Sequence, residues 1–294
     1  MPPCPRRRAV TIRSWRVALL LIGLLVSACG SGSPGSSASS ASGSAASNVG
    51  SAEPVGVAVI GHSGATGYDS DPDRPGEDVK ANSWATGTNP QVQSIFLRML
   101  ATNPSLEGHA TNLAKSGSNV TSLIGQAAQL VERTPKPQLV LIQTIDNDQK
   151  CDGTDAANYE PYRAKLTEVL DTLAKGLPKA QIFIVSQWAD VKTYDRVVFA
   201  IDPNHLAGDG PCDTVNPKTM KIDPAKEAYL QGMVNDYWRI VTDVCKLHPP
   251  CRTDGGAMQH FDLEPEDMTS DRNHLSVAGH VKMAAMEWTV LNGS

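Results

Sequence analysis

Short apolar runs separated by polar, glycine-containing turns set the rhythm of this chain. Residues 55–60 read Val-Gly-Val-Ala-Val-Ile, a β-branched run too short for a helix and bounded by glycine, as expected of a strand buried in a parallel sheet. Further strands are predicted over 109–114, 138–143, 181–185 and 258–263. Between them the apolar positions recur at helical spacing. Val92, Ile95, Phe96, Met99 and Leu100 mark a helix over 90–100, and 120–133 follows as a second, with Ser118 or Asn119 as its cap. Tyr162, Leu166, Val169, Leu170 and Leu173 share one face of 156–175, where Gly176 is a natural stop. Asp223-Pro224 opens a long helix to Leu247, and a last helix is expected over 281–291. Residues 189–222 show no periodicity and read as a long irregular insertion beside the strand ends. Strands alternating with helices predict an α/β fold with a parallel sheet.

The amino terminus does not belong to that pattern. Five arginines precede the apolar run 17–26, which ends in Val26-Ser27-Ala28-Cys29. This is the order of an export signal, and the run is too short to span a bilayer comfortably. Its last four residues resemble the bacterial lipobox, which implies cleavage after residue 28 and a lipid anchor on Cys29. Residues 29–52, nearly all Ser, Gly and Ala, form a tether. The remainder, 53–294, is enough for one domain. The expected product is a monomer held by its lipid to the outer face of the cell membrane.

Removing the signal changes the electrostatics. The chain holds 26 Lys and Arg against 31 Asp and Glu, and all five basic residues before Cys29 leave with the signal, so the mature charge falls from −5 to −10. Such a surface argues against nucleic acid as a partner. Six cysteines are present. With Cys4 in the signal and Cys29 as the anchor, Cys151, Cys212, Cys245 and Cys251 remain, an even number suited to two disulfides in an exported domain. The short segment between Cys245 and Cys251 favours that pair, leaving Cys151 with Cys212 to close a long loop. Neither a Cys-x-x-Cys pair nor a spaced histidine pair accompanies them, so no metal or other cofactor is expected. The acids of 68–79 lack the ordered spacing of a calcium loop and read as a solvated face.

Chemistry concentrates where the strands end. The first runs into Gly61-His62-Ser63-Gly64, a glycine-framed serine at the carboxyl edge of the sheet, where open α/β sheets place their ligands. The second ends at Gly117, either a plain turn glycine or a position whose N–H faces a ligand. The third leads into Ile145-Asp146-Asn147-Asp148, where Asn147 is either a turn former or an amide donor to a developing oxyanion. Near the carboxyl terminus Asp271 stands three residues before His274, a spacing that lets a carboxylate hold an imidazole tautomer. His280 is read as structural.

Taken in order, these four places resemble the sequence blocks of the SGNH hydrolases, the GDSL esterase/lipase family. Gly61-His62-Ser63 stands for Gly-Asp-Ser, Ala114-Lys115-Ser116-Gly117 for the second block, Ile145-Asp146-Asn147-Asp148 for the third and Asp271-x-x-His274 for the last. The resemblance implies a flavodoxin-like three-layer α/β/α sandwich with a mainly parallel five-stranded sheet. It further implies a serine esterase with Ser63 as nucleophile, His274 as base, Asp271 as its partner, and an oxyanion hole of Ser63, Gly117 and Asn147. Its substrate would be an acyl ester of a small molecule, glycan or lipid. The same fold also serves acyl transfer or a non-catalytic binding lipoprotein. Two departures stand out: His62 replaces an aspartate and Ile145 replaces a glycine. Trp84 and Trp188 are the aromatic residues expected to rim the site.

Overall fold

The computed structural model describes Glu53 and residues 55–293. The export signal over 1–28, the Cys29 anchor and the tether to residue 52 lie outside the described residues. The strands are β1 (Val57–Gly61), β2 (Ala110–Asn112), β3 (Leu139–Gln143), β4 (Gln181–Val185), β5 (Val215–Asn216), β6 (Lys221–Ile222) and β7 (Cys251–Thr253). The helices are α1 (Ile95–Thr102), α2 (Val120–Val131), α3 (Asp155–Gly176), α4 (Val191–Ile201), α5 (Pro224–Lys246) and α6 (Val277–Leu291). Five strands pair in the order β2-β1-β3-β4-β7, each pair parallel. Ranked by position in the chain this is the flavodoxin-like order 2-1-3-4-5. β5 and β6 form a separate antiparallel ribbon.

The period of two along each central strand divides the core into two layers. Val57, Val59, Leu139, Leu141, Phe183 and Val185 pack on one face with Ile95 and Phe96 of α1, Val197 and Val198 of α4 and Met283 of α6. The alternate residues, Ala58, Ile60, Val140, Ile142, Ile182 and Ile184, pack on the other face against α2, α3 and α5. Both faces are covered, which is why these strands read as unbroken apolar runs.

The ends of the elements follow local chemistry. Asn119 caps α2 by accepting from the Ser122 N–H, and Asp223 caps α5 by accepting from Ala225, with Pro224 at the first helical position. The expected disulfides are present. Cys245–Cys251 joins the end of α5 to β7, and Cys151–Cys212 ties the turn after β3 to the insertion. No helix among the described residues is long and apolar enough to cross a membrane.

Four expectations require correction. The fifth strand is β7, not 258–263. Its three residues pair only with β4 and carry no apolar run, whereas Met258, Phe261 and Leu263 are buried from a 3-10 turn (Ala257–His260) and the chain after it. The insertion is not irregular throughout, for α4 opens it, capped by Asp190, whose carboxylate accepts from the Thr193 N–H. The last helix starts at Val277, with Ser276 as its cap, and Gly279 is required there because a Cβ would lie 2.5 Å from the Asp267 carbonyl oxygen. Trp84 does not rim the site. It is fully buried in the core and donates its indole N–H to Gln143 Oε1 at 3.0 Å.

Candidate active site

β1 ends at Gly61, and the chain turns at once into a single 3-10 turn, Ser63–Ala65. Gly61 has φ +147°, and a Cβ there would lie 2.3 Å from the Gln143 carbonyl oxygen, so only glycine fits. The turn is fastened from several sides. His62 Nδ1 accepts from the Gly64 N–H at 3.1 Å, and Thr66 Oγ1 donates to the Ser63 carbonyl at 3.0 Å. Gln126 of α2 accepts from the Gly61 N–H at 2.7 Å and donates to the Gly61 carbonyl at 3.0 Å. The serine therefore stands on a held turn, with its side chain at the carboxyl edge of the sheet.

Asp271 and His274 come from the loop before α6 and reach that edge. Ser63 Oγ lies 2.7 Å from His274 Nε2, and His274 Nδ1 lies 2.6 Å from Asp271 Oδ2. An ionised carboxylate only accepts, so this contact places the proton on Nδ1 and leaves Nε2 to accept from the serine hydroxyl. Asp271 Oδ1 accepts from Thr269 Oγ1 at 2.6 Å and from the Asn273 N–H at 2.8 Å. Burial alone would raise the carboxyl pKa, but the bonds from His274, Thr269 and Asn273 together hold it well below the usual carboxylate range. The ring of Tyr68 lies against the imidazole, with centroids 4.6 Å apart.

The other two turns face the same space. Gly117 has φ +76°, and a Cβ there would meet nothing within 4 Å, so its constraint is conformational rather than steric. The backbone N–H groups of Ser63 and Gly117 donate to no backbone acceptor among the described residues. Asn147 is fixed through one amide N–H, which donates to the Ser118 carbonyl at 3.0 Å, and its amide carries a second. Ser63, Gly117, Asn147, Asp271 and His274 all line one open cavity of about 470 Å³.

His62 is not positioned as a rival base. Its Nδ1 is engaged by Gly64, and burial lowers its pKa, with His274 adding to that and Asp146 opposing it. Ile145 adopts φ +96° with ψ −57°, a conformation that costs a β-branched side chain energy, and the side chain is fully buried. It therefore reshapes the backbone leading to Asn147 without entering the cavity, whose walls do not include it.

Sequence reasoning missed several contributors. Tyr68 sits in what reads as a solvated loop, and nothing in its spacing pairs it with a histidine two hundred residues away. Asp190 caps α4 and Tyr194 lies within it, and Tyr194 binds the loop that carries Asp271 and His274 by donating its hydroxyl to the Arg272 carbonyl at 3.0 Å. Their signal was the helical spacing of Val191, Tyr194, Val198 and Ile201, hidden by the Gly, Pro and Cys residues that follow. Trp188 does line the cavity, edge-on to Tyr194 with centroids 5.6 Å apart.

No protein-family model matches this sequence, and no curated protein matches it. Among solved structures, the chain is similar to a protein of Parabacteroides merdae named as a GDSL-like lipase, with TM-score 0.49, 17% identity, and coverage of 81% of this chain and 95% of that one. It is similar to an extracellular lipase from Streptomyces rimosus, with TM-score 0.48, 15% identity, and coverage of 81% and 98%. An acetyl xylan esterase gives TM-score 0.49 at 13% identity, with coverage of 81% and 100%.

Proposed function

We propose that this chain is an exported, lipid-anchored serine ester hydrolase of the SGNH type. The observation that supports the reading is the unbroken relay from Ser63 Oγ through His274 to Asp271, opening on a cavity that Gly117 and Asn147 also line. In this mechanism Ser63 Oγ attacks the acyl carbonyl carbon while His274 Nε2 takes its proton. Asp271 keeps Nδ1 protonated and stabilises the imidazolium that results. The tetrahedral oxyanion is held by the N–H groups of Ser63 and Gly117 and by the Asn147 amide, each such donor contributing about 3 kcal/mol to the barrier reduction. The imidazolium then protonates the departing alcohol oxygen. Water, deprotonated by the same ring, attacks the acyl-enzyme and releases the acid.

The test is hydrolysis of p-nitrophenyl esters from acetyl to palmitoyl by residues 53–294, beside Ser63→Ala and labelling by a serine-directed phosphonate. Ser63→Ala is expected to lower kcat by about 10⁴-fold or more and to abolish labelling. No turnover at any chain length together with no labelling of Ser63 refutes the hydrolase and leaves a binding lipoprotein. Acyl transfer to an added alcohol in preference to water would reassign the second half-reaction.

A further inference from the structure

Tyr68 lines the cavity beside His274 but passes no proton along the relay. Its ring stands against the imidazole with centroids 4.6 Å apart and planes tilted by 52°. The loop that carries it is tied down on both sides of the contact. Tyr68 pairs with Asp78 in an isolated antiparallel bridge, and Asp78 accepts from the Ser116 hydroxyl beside Gly117. The next residue, Asp69, holds φ +56°, the left-handed region that aspartate enters more readily than most side chains. Its buried carboxylate accepts from the Gly76 N–H at 2.7 Å, within the loop, and from the Ser270 hydroxyl at 3.2 Å, one residue before Asp271. The dipeptide Tyr68-Asp69 therefore grips residues 269–274 at two points, with a ring on His274 and a carboxylate on Ser270.

The two halves of an ester hydrolysis ask different things of that grip. In the free enzyme the imidazole is held at both nitrogens, Nε2 by the Ser63 hydroxyl at 2.7 Å and Nδ1 by Asp271 at 2.6 Å. In the acyl-enzyme Ser63 Oγ is an ester oxygen with no hydrogen to donate, so its bond to the neutral Nε2 is lost. What remains is the bond from Nδ1 to Asp271, whose side chain is 33% exposed and open to competition from water, and the contact with Tyr68. A single hydrogen bond leaves a planar ring free to tilt about it. Nε2 must nonetheless meet a water poised at the acyl carbonyl, where a misplacement of about 1 Å costs about 100-fold in rate.

Resting on the ester-hydrolase reading, we infer that Tyr68 is a positioning residue for His274 and that its contribution falls on hydrolysis of the acyl-enzyme rather than on its formation. In that step the water oxygen bonds to the acyl carbon and its proton goes to Nε2. The same proton then passes to Ser63 Oγ as the acyl bond to it breaks, releasing the acid and restoring the serine. Tyr68 acts by keeping the ring where both transfers occur.

The test is stopped-flow hydrolysis of p-nitrophenyl acetate by residues 53–294, which hold both layers of the core. The initial release of p-nitrophenolate reads formation of the acyl-enzyme, and the later steady release reads its hydrolysis. Tyr68→Leu keeps the bulk and removes the flat face. It is expected to slow acyl-enzyme hydrolysis by about tenfold or more, while acylation and the rate of phosphonate labelling change by less than about threefold. kcat and KM then fall together. Tyr68→Phe keeps the face and should stay within about threefold of the parent in both steps. Equal slowing of the two steps, an unchanged hydrolysis rate, or a Phe variant as impaired as Leu overturns the inference. If Tyr68→Leu does not fold, Asp69→Gly is measured the same way, since glycine keeps the left-handed backbone and deletes the bonds to Gly76 and Ser270. Unchanged rates or equal slowing of both steps in that variant again overturn the inference. Absence of turnover and of labelling in the parent would instead strike the hydrolase reading. In that event the downfield proton resonance of the His274 Nδ1–H, identified by its loss in His274→Ala, decides the matter. It is expected to broaden by exchange with water in Tyr68→Leu, or in Asp69→Gly if that variant replaces it, and an equally sharp resonance refutes the positioning role.

Discussion

Gln126 never reaches the cavity, yet its replacement should damage the chemistry there. Its side chain, nearly inaccessible to solvent, bridges two turns: it accepts from the Gly61 N–H at 2.7 Å, donates to the Gly61 carbonyl at 3.0 Å and donates to Ser118 Oγ at 3.0 Å. Gly61 leads into the serine turn, and Ser118 follows Gly117, so this one amide sets the spacing between the two backbone N–H groups proposed to bind the oxyanion. Gln126→Ala removes a buried acceptor, at about 1–3 kcal/mol for the donor left behind, and two further bonds of about 1 kcal/mol each. The Gly61 carbonyl keeps the Lys115 N–H at 3.2 Å, which limits the total to about 3 kcal/mol. For a domain of this size that lowers Tm by about 10 °C. At a temperature well below the new Tm, the misplaced Gly117 N–H should lower kcat by about 10- to 100-fold, short of the full loss of one oxyanion donor, with KM changing less than about threefold. Gln126→Met, which restores volume without hydrogen bonds, should behave like Ala. The decisive assay is inhibition by an alkyl boronate, a tetrahedral mimic, whose affinity should fall in step with kcat. A folded variant with unchanged kcat and unchanged boronate affinity would refute the reasoning.

Three further outcomes follow from individual residues. Ile145→Gly relieves a backbone conformation worth about 1–3 kcal/mol but removes a fully buried side chain worth about 2–5 kcal/mol, so a net loss of about 1–2 kcal/mol is expected in urea denaturation, well below an ordinary buried Ile truncation. Burial lowers the His280 pKa to about 3 against 6.5 in the unfolded chain, so unfolding takes up a proton and its contribution to stability falls by about 1.4 kcal/mol per unit as pH drops from 6.5 towards 3. His280→Leu should flatten that slope relative to the parent in urea midpoints measured from pH 4 to 7. His62→Asp would set a carboxylate against Asp146, whose Oδ2 is 3.8 Å from the present imidazole, and should cost about 2–4 kcal/mol of stability, most of it recovered by adding Asp146→Asn in a double-mutant cycle.

The parts of the fold that were legible in the sequence are those in which one residue type has one physical use. β1, β3 and β4 are buried on both faces, so they could only be apolar runs; Asp223 before Pro224 reads as a helix cap, and of the two candidates Ser118 and Asn119 the structure uses Asn119. The disulfides followed because the separation of Cys245 from Cys251 is six residues and only one other pair remained. β7 escaped because an edge strand of three residues needs no alternation, and its pairing is fixed by β4 and by the disulfide to α5 rather than by its own side chains. α4 escaped because its short apolar face runs straight into the glycine- and proline-rich chain beyond it. At the candidate site, the meeting of Ser63, His274 and Asp271 was readable from motif and order. Tyr68, Gln126 and Asp146 were not, since each acts through a partner distant in sequence, and local spacing carries no trace of such a pairing.

The third turn shows how such pairings accumulate. Asn147 lines the cavity, while the next residue, Asp148, turns the other way and accepts from the Val120 N–H through both carboxylate oxygens, at 3.1 and 3.0 Å. It thereby meets an orphan donor and the positive end of the α2 dipole at once. Burial nonetheless raises its pKa to about 6, against the opposing pull of that N–H. α2 carries Gln126 two turns further on, and Gln126 holds Gly61 and Ser118. Asn147 closes the circuit by donating to the Ser118 carbonyl. The serine turn, the Gly117 turn and the Asn147 turn are therefore three points on one frame whose fourth member is a helix. Parallel-sheet packing makes this necessary: side chains within the strands are consumed by the two helical layers, so only the turns beyond them are free for chemistry, and turns alone hold no fixed geometry. A helix that reaches back to all three supplies it, which is why the residues that set the proposed oxyanion geometry include two, Gln126 and Asp148, that do not line the cavity.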